Sequence, residues 1–459
     1  MSSNPIATAA ANAHTVTAES RHAPLARTTG YAWYVAGTLA FAYMLSILDR
    51  YLLSVLLEDI KRDLELTDTQ LGILLGPSFV LLFLLASIPL GRLADVASRR
   101  IIIAAGLGGW SLATIGCSLA DSYTELLLAR LAVGLGEAAL LPSAMSLIGA
   151  YFTRDKLNRG CSIFAMGASF GRAAAFAGGG ALFAWFAMRG GLQLPWTIRF
   201  APWQGVFLTA GVIGLCFAGI FLLTVREPPR AASAGDKPSL RDGLGWFWQH
   251  YRAYLSIFIP YSMTSGVAAL LAGWSVSFYV RNHHLDVATA SMLVGITGVI
   301  FGPIGALSGG WLNDHLRARG NRGPQPTVLA VTLVLATLCV VVFALAPSVI
   351  VAAAAYACAY ALLVLGGPTG LGGTQLLTPE PYRGVMSSIF LIVYMAIGTG
   401  IAPLLVGVFV DHLFRSESML GQSIILTIVL MTTSALPFAL TGRPHFVAAV
   451  QANESSEPR

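Results

Sequence analysis

The amino-acid sequence predicts an all-α integral membrane protein of twelve transmembrane helices, arranged as two pseudo-symmetric six-helix halves. Three observations predict it. Hydrophobic residues make up 56% of the 459 and charged residues only 11%, whereas soluble domains carry about 25% charged residues. Runs of the roughly 20 apolar residues that a bilayer crossing needs recur along the whole chain. The stretch GRLADVASRR, Gly91 to Arg100, aligns without a gap with GWLNDHLRAR, Gly310 to Arg319, which marks an internal repeat.

The spans fall at 31–57, 70–90, 101–119, 124–150, 160–187 and 203–224 in the first half (31–224). In the second half (252–440) they fall at 252–281, 288–311, 327–346, 349–374, 384–410 and 420–440. Runs this long are helices, because barrel strands would be about ten residues of alternating polarity. The repeat places Gly91–Arg100 after span 2 and Gly310–Arg319 after span 8. A second echo pairs NRGCSIF before span 5 with YRGVMSSIF before span 11. Residues 1–30 are polar and lack the short apolar core of a signal peptide, so they are expected to stay as a disordered cytoplasmic tail. Residues 225–251, with REPPR and a Ser- and Pro-containing stretch, read as a cytoplasmic linker. Trp246, Phe247, Trp248, Tyr251 and Tyr254 at its end would anchor span 7 at the interface. Residues 441–459 form a second cytoplasmic tail. All five cysteines lie within spans and are odd in number, which argues for buried thiols rather than a disulfide framework or zinc site.

Most of the 28 Lys and Arg fall on the amino-terminal side of the membrane. The positive-inside tendency then makes both termini cytoplasmic, in a multi-pass protein of the bacterial inner membrane, expected as a monomer. The formal charge of +6 is therefore a topology signal, with no nucleic-acid partner implied. No nucleotide-binding loop, metal-ligand cluster or Ser-His-Asp order stands out, so the chain is expected to be no enzyme and to need no cofactor or metal.

Five charged residues lie inside spans, all in the first half: Asp49, Arg50, Arg130, Glu137 and Arg172. Each costs at least about 2.5–3.5 kcal/mol at membrane depth, so they are read as working residues of a transport pathway, with static ion pairs that hold the bundle together as the alternative. Arg130 and Glu137 stand two helical turns apart on one face, about 10.5 Å along the axis. Asp49 and Arg50 point roughly 100° apart, so one of them needs a partner on a neighbouring helix. Desolvation pulls a carboxylate toward its neutral form and a nearby guanidinium toward the ionised one, which is what proton coupling requires. Asp49 and Glu137 are thus the candidate proton carriers. Arg50, Arg130 and Arg172 are the candidate charge partners or binders of a substrate head group; Arg172 is equally readable as a structural partner of Asp49 or Glu137. Tyr43, Trp274, Tyr279, Tyr356, Tyr360 and Tyr394 are possible cavity-lining residues. His283 and His284 are read as ordinary loop histidines, and most of the 48 glycines as close-packing positions.

Gly91 to Arg100 resembles the signature loop of the major facilitator superfamily, with a weaker copy after span 8, and the resemblance implies that superfamily's fold. Gly91, Asp95, Arg99, Arg100 and Asp314 would then form a cytoplasmic gating motif. Within the superfamily, LDRYLLSVLLEDIKRDLELTDTQLGIL (Leu48 to Leu74), RLAVGLGEAALLPSAMSLIGAYF (Arg130 to Phe152), Trp110 and REPPR resemble the spinster-like branch. Val96, Ser98 and Arg172 depart from the expected pattern. The resemblance points to the same charged positions and implies lysophospholipid- or sphingolipid-type solutes.

A cavity charged on one wall and apolar on the other suits an amphipathic solute. The expectation is therefore a proton-coupled secondary transporter of amphipathic, lipid-like solutes working by alternating access. The alternatives are a proton-coupled symporter of small organic anions and, from another class, a non-transporting membrane receptor or scaffold.

Overall fold

The computed structural model describes residues 28–153, 155–193, 199–228 and 240–456. Nearly all of the expected amino-terminal tail and the middle of the expected linker lie outside these residues.

Short polar side chains set where the helices begin. Thr29 caps span 1 (Gly30–Asp63) by accepting from the Ala32 N–H. Thr67 and Gln70 form a capping box at the start of span 2, which runs as Asp68–Leu75 and Pro77–Val96 around a bend at Gly76. Ser98, Ser122, Asp286 and Ser348 cap span 3 (Arg99–Ser118), span 4 (from Tyr123), span 8 (Val287–Ala318) and span 10 (Val349–Leu377). Span 6 (Pro202–Thr224) and span 9 (Gln325–Leu345) instead carry proline in the first turn, where its missing N–H costs nothing. Span 7 (Tyr251–His283) stops at His284, which is left-handed with φ 55°.

Eleven helical runs among the described residues are long and apolar enough to cross a membrane. The predicted fifth span is not one of them, because Asn158, Arg159, Ser162, Ser169 and Arg172 dilute its hydropathy. It is nonetheless an unbroken helical course, Leu157–Ala173, a π turn at Ala174–Gly178 and Gly179–Ala187, packed on span 1. Span 11 is similarly irregular, with Arg383–Val393 and Ala402–Val408 joined by a π segment, Tyr394–Ile401. Several boundaries differ from those predicted. The repeat is largely helical, since Gly91 to Val96 end span 2 and Gly310 to Ala318 end span 8. The linker contains a helix, Leu240–Gln249. Span 12 (Leu420–Ser456) runs far beyond residue 440 because Phe446 and Val450 are buried against Tyr254 and Ile257. A small antiparallel hairpin, Leu192–Gln193 with Arg199–Phe200, precedes span 6.

The repeat is carried into three dimensions. Spans 1 and 5, 2 and 4, and 3 and 6 pack together in the first half; spans 7 and 11, 8 and 10, and 9 and 12 do so in the second. Spans 1 and 7, 2 and 11, and 5 and 8 join the halves. The apolar core falls into several clusters. Around Leu52, Leu71, Leu270 and Trp274 one core is shared by both halves. Beyond it lie a first-half cluster around Trp110 and Phe164, a second-half cluster around Tyr254 and Phe390, and a smaller one that joins Phe79 and Phe83 of span 2 to Met395 of span 11.

Candidate functional site

Span 4 does not run straight past its carboxylate. Pro142 has no N–H to give the Ala138 carbonyl, and its ring crowds that oxygen. The helix therefore ends at Glu137 and restarts at Leu140 (Leu140–Tyr151). Gly136 presses against span 3, where a Cβ would lie 2.7 Å from the Trp110 nitrogen. The bend and the close seam together aim Glu137 at span 1.

Glu137 is 2% exposed. Its Oε2 accepts from Arg50 Nη2 at 2.7 Å and from Ser46 Oγ at 2.7 Å, whereas Oε1 has no hydrogen-bond partner among the described residues. Ser46 and Arg50 stand one turn apart on span 1, so both reach the same oxygen. The Arg50 guanidinium lies 4.2 Å from the Phe79 ring centroid on span 2, with its Nε unpaired. Asp49, also buried, accepts from Thr114 Oγ1 on span 3 at 3.2 Å. Arg130, 1% exposed, donates Nη1 to the Asp49 backbone carbonyl at 3.2 Å. Spans 1, 3 and 4 thus bring four of the five in-span charges together, as two cation–carboxylate neighbourhoods on successive residues of one helix.

Arg172 stands apart. Among the described residues no carboxylate pairs with it; its Nη2 donates to Tyr51 Oη at 2.5 Å. Its guanidinium sits 4.3 Å from the Tyr51 ring centroid and 5.0 Å from that of Tyr360, on span 10 in the other half. Tyr360 stacks on Tyr356 at 6.2 Å with 8° between the planes. Half-buried Tyr394 lies near Tyr43, Arg50, Tyr51 and Tyr261, and meets Tyr261 edge-on at 5.4 Å. Tyr43 stacks on Phe164 at 4.7 Å. Trp274 and Tyr279 are buried in the shared core, with Trp274 Nε1 donating to the Pro403 carbonyl at 3.0 Å.

The repeat motifs divide. Arg99 and Arg100 turn to the end of span 6: Arg99 Nε donates to Glu227 Oε1 and the Arg100 N–H to Glu227 Oε2, both at 2.8 Å, with Ser98 Oγ also bonded to Oε2. Burial pushes the Glu227 carboxyl up, but the Arg100, Arg99 and Ser98 hydrogen bonds outweigh it and hold it below its ordinary range. Gly91 and Asp95 occupy the last turns of span 2, and Asp314 is exposed on span 8. Asn313 beside it is buried, bonded to Thr369 Oγ1 at 2.9 Å.

A further set of charges closes the opposite end of the bundle. Arg281 on span 7 reaches Asp68 at 2.7 Å and Glu58 at 2.9 Å, and Lys61 contacts both Asp68 and Glu417. Asp411 accepts from the Thr69 N–H at 2.6 Å and the Asp68 N–H at 3.3 Å, tying span 11 to the start of span 2. Sequence reasoning missed these pairings. A lone arginine in the last turn of span 7, on the side otherwise poor in basic residues, was the available signal.

The sequence profile of the Major Facilitator Superfamily matches residues 39–403. The chain is 26% identical over 410 residues to an MFS-type efflux pump of Mycolicibacterium smegmatis, covering 87% of this chain and 90% of that one. It is 26% identical over 316 residues to a sphingosine-1-phosphate transporter of Danio rerio, covering 65% of this chain and 60% of that protein. A crystal structure of a bacterial homologue of the human lysosomal transporter spinster, inward-facing and unoccupied, aligns with a TM-score of 0.76 over 94% of this chain and 100% of its own, at 22% identity. At that identity the likeness speaks for the fold alone.

Proposed function

The chain belongs to the major facilitator superfamily and is a secondary transporter of that kind; from this premise we propose that it couples proton movement to the transport of amphipathic solutes with an anionic head. The observation that carries the reading is the half-satisfied Glu137 carboxylate. Oε2 is held by Arg50 and Ser46, and Oε1 is bare inside a buried site. A proton arriving on Oε1 neutralises the acid and frees the Arg50 guanidinium, whose side chain is 23% exposed. The freed cation then attracts an anionic group. When Glu137 ionises again it recaptures Arg50 and the solute loses its partner. Asp49 and Arg130 are the second pair, linked to the first through one peptide unit of span 1.

The positive-inside tendency puts the repeat motifs on the cytoplasmic side. The end closed by Arg281 and Asp68 is then the outer one, and alternating access of the two halves would open and close it. The likeness to a sphingosine-1-phosphate transporter supports the amphipathic class of solute.

The test is flux into proteoliposomes under an imposed pH gradient, with a lysophospholipid and a small dicarboxylate as the two solutes. Gradient-driven accumulation of the lysophospholipid is expected, and Glu137→Gln should abolish it while leaving solute exchange. Accumulation of the dicarboxylate alone would replace this reading with a small-anion symporter. No gradient-driven flux of either solute would sink it.

A further inference from the structure

Among the described residues, Arg172 is held by one phenol and two aromatic rings and pairs with no carboxylate. Arg50 has Glu137 at 2.7 Å, and Arg130 sits on the peptide of Asp49. Arg172 has one phenol oxygen and two aromatic faces. Ring faces and a hydroxyl attract a guanidinium, but they do not cancel its charge. The side chain is only partly buried, and span 8 approaches it with a glycine: a Cβ on Gly298 would lie 3.3 Å from Arg172 Cδ. The cradle is drawn from both halves, Tyr51 from span 1 and Tyr360 from span 10. It holds the guanidinium by one hydrogen bond and two ring contacts, and among the described residues most of its five N–H donors have no protein acceptor.

We infer that Arg172 is a seat for the solute's anionic head, distinct from the Glu137–Arg50 proton site. The head it fits is a planar or tetrahedral oxyanion, phosphate or carboxylate, that accepts two parallel N–H bonds from a held guanidinium. The head would rest between Tyr51 and Tyr360, so its binding draws on both halves at once. Arg172 thereby offers the head a seat whatever the protonation of Glu137, whereas Arg50 is released to the anion only when Glu137 is neutral. This deepens the transport reading and depends on it only in calling the ligand a transported solute.

The experiment measures equilibrium binding to the purified full chain in detergent, with oleoyl lysophosphatidic acid as the anionic probe and monooleoylglycerol as its uncharged counterpart. Wild-type protein is expected to prefer the anionic probe by about tenfold or more, the loss expected when a charge-assisted pair is removed. Arg172→Gln should erase that preference while holding monooleoylglycerol affinity within about twofold. Arg172→Lys keeps the charge but not the flat stack between the rings, and should restore the preference only in part. Retained monooleoylglycerol binding certifies that the variants are folded. Equal loss of both probes in Arg172→Gln would mark Arg172 as a structural brace and overturn the inference, as would unchanged binding of both or a wild type that does not discriminate. Wild-type discrimination lost on Arg172→Gln, in a protein that moves neither probe under a pH gradient, would retain the anion seat and remove the transport reading.

Discussion

At the scale of the residue, the contrast between Glu137 and Glu227 is instructive. Both are glutamates bonded to arginine, but Glu227 spends both oxygens on Ser98, Arg99 and the Arg100 N–H. Glu137 keeps Oε1 without a partner among the described residues. The first arrangement fixes a chain segment; the second leaves a place for a proton. Because the folded-state carboxyl of Glu227 is held below its ordinary range, its contribution is complete above about pH 4.3, the unfolded value, and is lost as pH falls through the lower folded value. At neutral pH, Glu227→Ala is expected to cost about 1–3 kcal/mol. A lowered Tm and faster amide exchange at Arg100 would register it; wild-type values of both would show that the clamp is idle.

Among the elements, span 4 couples geometry to chemistry most directly. Pro142→Ala lets the helix continue through Ala138 and swings Glu137 away from Ser46 and Arg50. Stability should hold or rise, since an interior proline costs a helix about 3 kcal/mol, yet gradient-driven flux should drop at least about tenfold. A variant with normal flux would separate the bend from the mechanism. Gly136→Ala acts through packing instead. Its Cβ would meet Trp110 at 2.7–2.8 Å, and overpacking of that kind costs about 1–3 kcal/mol, measurable as a lower Tm.

How much of this the sequence discloses depends on the kind of interaction. The in-span charges were legible because a bilayer penalises every charge it retains, so Asp49, Arg50, Arg130, Glu137 and Arg172 stand out against their surroundings. Their partners were not. Ser46 and Thr114 are common in membrane helices, and nothing local says that Tyr360, almost two hundred residues on, lies over Arg172. The span ends were readable to within a few residues where caps exist. They failed at span 12, whose extension is held by tertiary burial of Phe446 and Val450 rather than by a local apolar run.

For the whole molecule, the two ends of the bundle are unlike. One is shut by a shared apolar core and by Arg281, whose side chain is 7% exposed, on Asp68, whose side chain is fully buried. Removing one member of such a pair costs about 3–5 kcal/mol. Arg281→Gln should therefore shift the population away from the form closed at the Asp68 end. Distances between spin labels placed across that end on spans 1 and 7 would lengthen in a larger fraction of molecules; an unchanged distribution would mean that the apolar core alone keeps it shut.

The long final helix also has a consequence for biosynthesis. The first-half core around Trp110 is complete once Val225 has been made, but the second-half cluster around Tyr254 waits for Phe446 and Val450. Asn453, three residues later, supplies the amide that caps the Leu376 and Leu377 carbonyls at the end of span 10. The two halves, similar in architecture, thus mature on different schedules during translation. The first can consolidate while the ribosome is still at work, and the second closes only after Phe446 and Val450 have emerged.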